Sequence, residues 1–266
     1  MRFRVDWTAA AMRFRYDGSG IHAVYPAARE MSPTTRAVWA DVLREHLGSA
    51  PLSRVLDVGC GTGRFARLLL EIFPVTVYGL DPSVDMLSAS APMEDPDALR
   101  LIRATAEQLP VKARSVDLVF LAWVYHHLGA PAAALSEFAR VLRDAGRLAV
   151  ATSTHETLDS YLWMRFFPSA RAIDWERMPA RSALVDAARR SGFAPDRLTT
   201  VRQPTTRGLA AYAERVGRRV ISTLRLVSDS EFEAGMRELE RYCAAHDRGQ
   251  TVHEDVDLFV FRQSPG

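Results

Sequence analysis

The feature that most constrains this fold is a glycine-rich turn between a short apolar run and an amphipathic segment. Residues 55–58 have the apolar character of a buried strand. Gly59, Gly61 and Gly63 follow at every second position, and apolar residues then recur at helical spacing, at Phe65, Leu68, Leu69 and Ile72. The order strand, glycine turn, helix predicts the first unit of a doubly wound α/β sheet.

The same alternation continues through most of the chain. Apolar runs predict further strands, and apolar residues at helical spacing predict the helices between them. The predicted strands lie near residues 75–80, 99–103, 116–122, 147–152, 198–202 and 256–261, and the predicted helices near 33–47, 65–72, 84–91, 135–142 and 182–190. We therefore predict an α/β fold with a doubly wound, mostly parallel seven-stranded sheet, Rossmann-like, with helical insertions that cover the active site.

Three segments depart from the simple alternation. Residues 1–31 show no clear period and are predicted to form an N-terminal arm or lid, ahead of one domain that spans 32–266. Within this domain we predict insertions at about 155–179 and 204–250. The second insertion contains two amphipathic helical patterns, for which a cover over the site, a dimer contact and a purely structural role all remain open.

Composition excludes several classes of protein. The 266 residues are 48% hydrophobic and 25% charged, as in an ordinary globular domain. The net charge is only +2 and the basic residues are scattered, so no nucleic-acid partner is expected. Cys60 and Cys243, the only cysteines, cannot by themselves build a disulfide framework or a zinc site. No run of about 18 apolar residues occurs, so a membrane span is not expected. The two cysteines fit a reducing cytoplasm, and we expect a monomer or homodimer.

Residues around the glycine turn restrict the ligand that it can hold. A dinucleotide loop that began at Gly59 and Gly61 would need glycine or alanine where this chain has Arg64. Asp81 ends the second strand, where a carboxylate can accept both hydroxyl hydrogens of a ribose. Asp57 can hold the turn or receive an ammonium group. These residues favour an adenosine cofactor over a dinucleotide.

Five segments, in order, carry a resemblance to a known family: VLDVGCGTGRFARLLL at residues 55–70, GLDPSVDML at 79–87, ATAEQLP at 104–110, SVDLVFLAWVYHHL at 115–128 and LSEFARVLRDAGRLA at 135–149. Together they resemble class I S-adenosylmethionine-dependent methyltransferases, in the ubiquinone/menaquinone-methyltransferase-like (type 11) branch. The resemblance implies methyl transfer from S-adenosylmethionine to O, N or C of a small-molecule acceptor, in natural-product or quinone-type metabolism, with S-adenosylhomocysteine as the product.

The resemblance also implies cofactor contacts at the first two strand ends. Asp57, Gly59 and Gly61 would face the methionine end of S-adenosylmethionine. Asp81, followed by Pro82, would bind the ribose; Asp81 can at the same time cap a helix that Pro82 begins.

Further cofactor contacts are implied along the chain. Met86 would cover one adenine face, Thr105 and Ala106 would contact the adenine edge, and Leu121 and Ala122 would pass close to the methionyl part. Relatives commonly have an aspartate where this chain has Thr105, so the contact there lacks a charge. Tyr16 resembles the arm tyrosine that reaches the cofactor carboxylate in such relatives, although the arginine that usually follows it is not evident.

Candidate catalytic residues lie just beyond the fourth strand. His126 and His127 occupy the edge that faces donor and acceptor, where a histidine can remove a proton from the accepting atom. The alternative is that one histidine supports the loop and the other is exposed. A metal site formed by the pair is not expected, because adjacent side chains splay apart and no further ligand is suitably spaced.

Aromatic residues nearby predict an acceptor pocket. Trp123 and Tyr125 flank the fourth strand end, and Tyr161 and Phe166 belong to an aromatic stretch in the first insertion. Apolar rings commonly line small-molecule sites, but ordinary packing explains the same pattern.

Two other functions remain open at this point. The same pocket can serve a non-methylating reaction of S-adenosylmethionine, such as aminocarboxypropyl transfer, cyclisation or elimination. A non-catalytic binding protein can also keep this fold. A nucleic-acid methyltransferase is disfavoured, since no Asn/Asp-Pro-Pro-aromatic sequence follows the fourth strand.

Overall fold

The computed structural model describes residues 14–48 and 51–264, and these contain a single seven-stranded sheet. The strands are β1 Arg54–Val58, β2 Thr76–Asp81, β3 Leu99–Arg103, β4 Val116–Ala122, β5 Leu142–Thr152, β6 Phe193–Arg207 and β7 Thr251–Gln263. Their spatial order is β3-β2-β1-β4-β5-β7-β6. Neighbours from β3 to β5 are parallel, and β7 is antiparallel to both β5 and β6. The predicted doubly wound, mostly parallel sheet is confirmed.

Helices connect and cover these strands. They are α1 Tyr25–Ala28, α2 Pro33–Leu47, α3 Arg64–Ile72, α4 Val84–Ser88, α5 Pro131–Val141, α6 Pro168–Arg177, α7 Arg181–Arg190, α8 Leu209–Gly217 and α9 Asp229–His246. The predicted start of α2 is confirmed in detail, since the Ser32 hydroxyl accepts a hydrogen bond from the Thr35 amide and Pro33 is the first helical residue. None of the described helices is long and apolar enough to cross a membrane.

The two faces of the sheet bury different sets of side chains. Val55, Leu118 and Phe120 pack with α2 and α3, whereas Leu56 and Leu121 pack with α5 and α7 on the opposite face. The reason is the strand period of two, which sends successive side chains to opposite sides. The ends of β1, β2 and β4 meet at one edge, where the register pairs Asp57 with Gly79 and Val58 with Leu121.

The last two strands are much longer than predicted. The apolar pattern indicated strands at 198–202 and 256–261, but the β6–β7 hairpin extends over Phe193–Arg207 and Thr251–Gln263. Many of the added positions are polar or exposed, so apolar periodicity alone does not reveal them. Similarly, β5 begins directly after α5, at Leu142, so it includes Gly146 and is longer than the predicted strand at 147–152.

A separate apolar cluster is formed by the predicted insertions. Trp163 and Phe167 from the first insertion pack with Leu209, Tyr212 and Leu239 from α8 and α9. The two predicted amphipathic helices are therefore present, and their buried faces contact each other and the first insertion. The division into an arm at 1–31 and a domain at 32–266 stays a prediction; residues 1–13 of that arm lie outside the described residues.

Candidate functional site

A cavity of about 610 Å³ opens at the edge where β1, β2 and β4 end. It is lined by the glycine turn, the β2–α4 connection, the segments after β3 and β4, and the arm. The lining includes the predicted residues Tyr16, Gly59, Gly61, Asp81, Pro82, Met86, Thr105, Ala106, Ala122 and Trp123. We call it the cofactor cavity, because most residues predicted to contact the cofactor surround it.

The glycine turn brings backbone close to the cofactor cavity. Gly59 has a φ of 68°, in the left-handed region that favours glycine, and a Cβ there would lie 2.3 Å from Cγ2 of Val124. Gly61 also has a positive φ, and its amide is fixed by Asp81. The turn thus requires glycine on both conformational and steric grounds.

Asp81 is held rigidly at the end of β2. One carboxylate oxygen accepts from the Gly61 amide at 2.9 Å and the other from the Ser83 amide at 2.8 Å. Each oxygen retains acceptor capacity for a further hydrogen bond. Burial raises the pKa of Asp81, while these two amide bonds oppose the shift. The carboxylate is positioned to receive hydroxyl donors from a ligand in the cofactor cavity.

Asp57 lies beneath the turn rather than on the cavity wall. Its side chain is buried, it accepts a hydrogen bond from the Ala66 amide, and its Oδ2 has no hydrogen-bond partner among the described residues. Burial, and secondarily the negative charge of Asp81, raises the pKa of Asp57 to about 8. The geometry supports holding the turn, one of the two roles expected for Asp57, and its contact with the cofactor stays a prediction.

The adenine-side predictions fall on the cofactor cavity. Met86 is buried and packs with Ile21, Ala28 and Val220, so it joins α4 to the arm. Thr105 and Ala106 follow β3 and line the same wall, with Thr105 exposed. Leu121 does not line the cavity although Ala122 does. Since successive strand side chains point to opposite faces, Leu121 is directed into the α5 layer instead.

The arm closes one side of the cofactor cavity. Tyr16 lies at the cavity, and its hydroxyl is 3.4 Å from Nε2 of His127. Asp85 accepts a hydrogen bond from the Gly18 amide at 2.8 Å, and the Ser83 hydroxyl donates to Asp17. The described part of the arm is therefore tied to the β2–α4 connection by side-chain contacts.

A second, smaller cavity of about 90 Å³ adjoins the first. The two share Tyr16, Tyr25, Arg64, Trp123 and His127 in their walls. The remaining walls come from the start of α2, the insertions and the β6–β7 hairpin, and they include Arg29, His126, Ser153, Tyr161, Trp163, Gln203, Arg215 and Glu254. We call it the inner cavity.

Both histidines proposed for catalysis reach the inner cavity. Nδ1 of His126 is buried and has no hydrogen-bond partner among the described residues. Burial, with the nearby charges of His127 and Arg177, lowers the pKa of His126 well below its ordinary value, so His126 is neutral at physiological pH. His127 lies between Tyr16 and Arg177, whose guanidinium is 3.5 Å from Nδ1. Within the described residues, no cluster of metal-ligating side chains is found.

The aromatic predictions divide into two groups. Trp123 lines both cavities, and Tyr161 lines the inner cavity with its hydroxyl 2.7 Å from the Ser153 hydroxyl. Tyr125 and Phe166 line neither. Tyr125 turns into the layer formed by α5 and α7, and Phe166 packs on Tyr242 of α9 at 5.5 Å between ring centroids. Ordinary packing, the alternative reading of the aromatic pattern, describes both side chains, and their contact with a substrate stays a prediction.

Trp123 has an unusual backbone conformation for a non-glycine residue, with a φ of 56°. This turn at the end of β4 places the indole against Trp39 and Phe65, with 5.8 Å between ring centroids in each pair. Left-handed conformations of bulky residues cost free energy and are frequent at ligand sites. The residue with this strained backbone, Trp123, thus lies in the wall that the two cavities share.

Sequence reasoning missed the basic side of the site. Arg64 was used only as evidence against a dinucleotide loop, yet it lines both cavities, and Tyr25 and Arg29 were not singled out. One signal was present: Arg64 is the first residue of α3, where the positive end of the helix dipole disfavours a cation unless an anion is near.

Comparisons with known proteins agree with this architecture. Residues 56–150 match the family model described as a methyltransferase domain. Over 143 residues the chain is 35% identical to a malonyl-acyl-carrier-protein O-methyltransferase of Methylococcus capsulatus, covering 49% of this chain and 52% of that protein. Over 115 residues it is 34% identical to the ubiquinone/menaquinone biosynthesis C-methyltransferase UbiE of Syntrophotalea carbinolica, covering 42% and 48%. The chain spans about half the length of these curated relatives.

Solved structures show the same fold at low sequence identity. A protein of Anabaena variabilis, described as a methyltransferase from an antibiotic biosynthesis pathway, superposes with a TM-score of 0.72 at 18% identity, covering 86% of this chain and 99% of that one. The cyclase SpnF superposes with a TM-score of 0.58 at 17% identity, covering 86% and 81%. Activity must therefore be argued from the site rather than from the fold. Residues 56–150 thus match a methyltransferase domain, and the described chain has the fold of class I methyltransferases.

Proposed function

We propose that this protein transfers a methyl group from S-adenosylmethionine to O, N or C of a small-molecule acceptor. The observation that carries the proposal is the pair of adjoining cavities. One is bounded by the glycine turn and the Asp81 carboxylate, and the other meets it at Tyr16, Trp123 and His127. A donor in the first cavity and an acceptor in the second would meet at this shared wall.

The residues present fit the cofactor. Asp81 offers two acceptor oxygens to the ribose hydroxyls, and its orientation is fixed by the Gly61 and Ser83 amides. Met86 and Ala106 give apolar surfaces for the adenine, and Thr105 offers a hydroxyl at its edge. Two structures of the same fold, at 16% identity each, are complexes with S-adenosylhomocysteine and with sinefungin.

Methyl transfer asks mainly for orientation and exclusion of water. S-adenosylmethionine supplies an activated methyl group whose loss leaves a neutral thioether, so positioning of the accepting atom contributes most of the barrier reduction. Trp123 and Tyr161 provide apolar walls on the acceptor side. His126 is neutral and can accept a hydrogen bond from the accepting atom, but its lowered pKa makes it a weak base, and His127 lies between Tyr16 and Arg177 at the junction.

The proposal extends to setting and partners. The protein would act in the cytoplasm, as a monomer or homodimer, on a small molecule rather than on nucleic acid, consistent with a net charge of only +2. Relatives are named as an O-methyltransferase and as a C-methyltransferase, so trial acceptors should include both carboxylic acids and activated carbon acids.

Product analysis tests the reaction type. Purified protein is incubated with S-adenosylmethionine and trial acceptors, and the nucleoside products are separated. S-adenosylhomocysteine together with a methylated acceptor is expected. Methylthioadenosine would indicate aminocarboxypropyl transfer or elimination and would overturn methyl transfer.

Single variants of the two histidines test the proposed proton acceptor. Both His126→Ala and His127→Ala should retain affinity for S-adenosylhomocysteine, and loss of turnover in either assigns it a catalytic role. Full turnover in both removes the pair from the mechanism.

A further inference from the structure

The β6–β7 hairpin brings two buried polar side chains together on the wall of the inner cavity. Gln203 of β6 and Glu254 of β7 are register partners in this antiparallel pair, and both line the inner cavity. Side chains at directly opposite positions of an antiparallel pair lie on the same face, with Cβ atoms about 4.5 to 5.5 Å apart. The two side chains also have the same length, so their terminal groups can contact one ligand.

Gln203 has unused hydrogen-bond donors. Its Oε1 accepts a hydrogen bond from Nε1 of Trp39 at 3.0 Å. Because an indole N–H can only donate, this contact fixes the orientation of the amide and leaves its NH2 group on the other side. No hydrogen bond among the described residues uses Nε2 of Gln203, and this atom is not closed off by protein atoms. Gln203 therefore offers N–H donors to the inner cavity.

Glu254 offers the complementary acceptor. The Tyr212 hydroxyl donates to its Oε1 at 3.1 Å, and the Arg215 guanidinium lies 3.4 Å from the same oxygen. Oε2 of Glu254 makes no hydrogen bond among the described residues and is likewise not closed off by protein atoms. A buried carboxylate oxygen without a donor is costly, so this oxygen calls for a ligand that supplies an O–H or N–H group.

The charges around the inner cavity favour a neutral ligand. Its lining contains equal numbers of acidic and basic side chains, namely Glu30, Asp174 and Glu254 against Arg29, Arg64 and Arg215. Burial opposes the charged form of Arg29, but Tyr25, and then Glu254, raise its pKa. The acidic and basic groups thus balance one another, and neither a cation nor an anion is needed to complete the site.

A planar amide edge matches this pair of groups. In a primary carboxamide or a lactam, the carbonyl oxygen and an N–H lie side by side on one rigid edge, so no rotatable bond has to be ordered on binding. The inner cavity, of about 90 Å³, holds roughly six to nine water-sized groups at about 10 to 15 Å³ each. A small amide group fits within this volume.

We propose that the acceptor carries a primary carboxamide or lactam group, whose carbonyl oxygen accepts from Gln203 and whose N–H donates to Glu254. The inference rests on the proposed function, because it takes the ligand of the inner cavity to be the methyl acceptor. It names the chemical class of the acceptor and the two residues that select for it.

Two small cyclic probes test the pairing. 2-Pyrrolidinone presents a lactam edge, and γ-butyrolactone has the same ring with an oxygen in place of the N–H. Each is titrated into protein saturated with S-adenosylhomocysteine and followed by ligand-observed NMR. The lactam should bind about tenfold or more tightly, because the lactone leaves Oε2 of Glu254 without a donor. Equal binding would mean that the carboxylate serves only its protein partners, and it would overturn the inference.

Glu254→Gln tests the acceptor half of the pair. Tyr212 and Arg215 would hold the new amide oxygen in the place of Oε1, which turns N–H donors toward the ligand. The lactone should then bind at least as tightly as the lactam. Asp255→Asn makes the same chemical change at the next residue of β7, which lines neither cavity, and it should keep the wild-type preference. An unchanged preference in Glu254→Gln would contradict the role of Glu254.

Gln203→Met tests the donor half of the pair. Methionine has a similar length but no N–H group, so both probes should lose one hydrogen bond to their carbonyl oxygen. Both affinities should fall about three- to tenfold, with the ratio between lactam and lactone retained. Affinity for S-adenosylhomocysteine, measured beside it, reports whether the variant is folded. A folded variant that binds both probes as the wild-type protein does would remove Gln203 from the site.

The same titrations without S-adenosylhomocysteine separate this inference from the proposed function. If the wild-type protein does not bind S-adenosylhomocysteine but prefers the lactam, the proposed function fails, and the amide site stands without a role in methyl transfer. If the wild-type protein binds S-adenosylhomocysteine and shows no preference for the lactam, only the inference about the acceptor fails.

Discussion

The cofactor cavity and the inner cavity are built in different ways. The first is formed at the ends of parallel strands, where Asp81 is the last residue of β2 and Gly59 and Thr105 follow β1 and β3. The second is closed by the helical insertions and by the extended β6–β7 hairpin, which contributes Gln203 and Glu254. The sheet edge thus determines the residues around the cofactor cavity, whereas the residues around the inner cavity depend on the segments added to that edge.

Gly59→Ala is the strongest test of the cofactor half. The left-handed φ of 68° and the 2.3 Å approach to Val124 together should cost about 2 to 5 kcal/mol in the native geometry of the turn. The turn should relax away from that geometry, and because binding has to restore it, affinity for S-adenosylhomocysteine should fall more than about 30-fold by calorimetry. Gly192→Ala is the matched control, with a φ of 84° and no atom within 4 Å of its Cβ. It should lose about 1 to 2 kcal/mol of unfolding free energy and no affinity. Wild-type affinity in Gly59→Ala would show that the glycine turn does not determine binding in the cofactor cavity.

Asp57→Asn tests whether Asp57 is a buried support of the turn. The pKa of Asp57 is raised to about 8 in the folded state, so folding takes up a proton above the unfolded pKa. The contribution of Asp57 to the free energy of unfolding is fully present near pH 4. It is lost as pH rises towards 8, at up to about 1.4 kcal/mol per pH unit. The asparagine variant should gain about 2 to 4 kcal/mol of unfolding free energy relative to wild type between pH 5 and pH 8, measured by urea denaturation. A pH-independent difference would contradict the assignment.

Asp81→Ala tests the ribose contact. Removing hydrogen bonds to a charged acceptor should weaken S-adenosylhomocysteine binding by about 1 to 3 kcal/mol in a calorimetric titration. Asp97→Ala serves as the control, because Asp97 is exposed and pairs only with Arg100 among the described residues. Unchanged affinity in Asp81→Ala would refute the role of this carboxylate.

Thr105→Asp gives the smallest expected change in affinity for S-adenosylhomocysteine, and unlike the other variants it should increase this affinity. A carboxylate at the adenine edge would make a charge-assisted contact with the exocyclic amine, so affinity should rise about three- to tenfold. Thr105→Asn has a similar shape without the charge and should change affinity less than about twofold. If both variants bind S-adenosylhomocysteine equally well, Thr105 does not face the adenine amine.

Many residues of the cofactor cavity could be predicted from the sequence because they lie at or near the ends of strands. Asp81 and Met86 could be placed from their distance along the chain after the glycine turn, and both line the cofactor cavity. Leu121 was assigned to the same contact as Ala122, although the alternation of a strand allows only one of two successive side chains to face a ligand. The strand period therefore predicts which of the two side chains lines the cavity, while the proximity of Leu121 to the methionyl part stays a prediction.

Few residues of the inner cavity could be predicted from the sequence, because they come together only in the tertiary structure. Arg29 precedes the first long helix and Glu254 lies on the last strand, and no local pattern connects them. The directions of the aromatic side chains in the first insertion could not be predicted either. Trp163 reaches the inner cavity, whereas Phe166 on the same short segment packs on α9. Side-chain packing of the insertions decides such cases, and periodicity does not report it.

The central claim is that the cofactor cavity binds S-adenosylmethionine. Calorimetric titration of the wild-type protein with S-adenosylhomocysteine tests it most directly, with Gly59→Ala titrated beside it. The account predicts one binding site per chain in the wild-type protein and a loss of more than about 30-fold in the variant. Absence of binding in the wild-type protein, or equal binding in both, would contradict it.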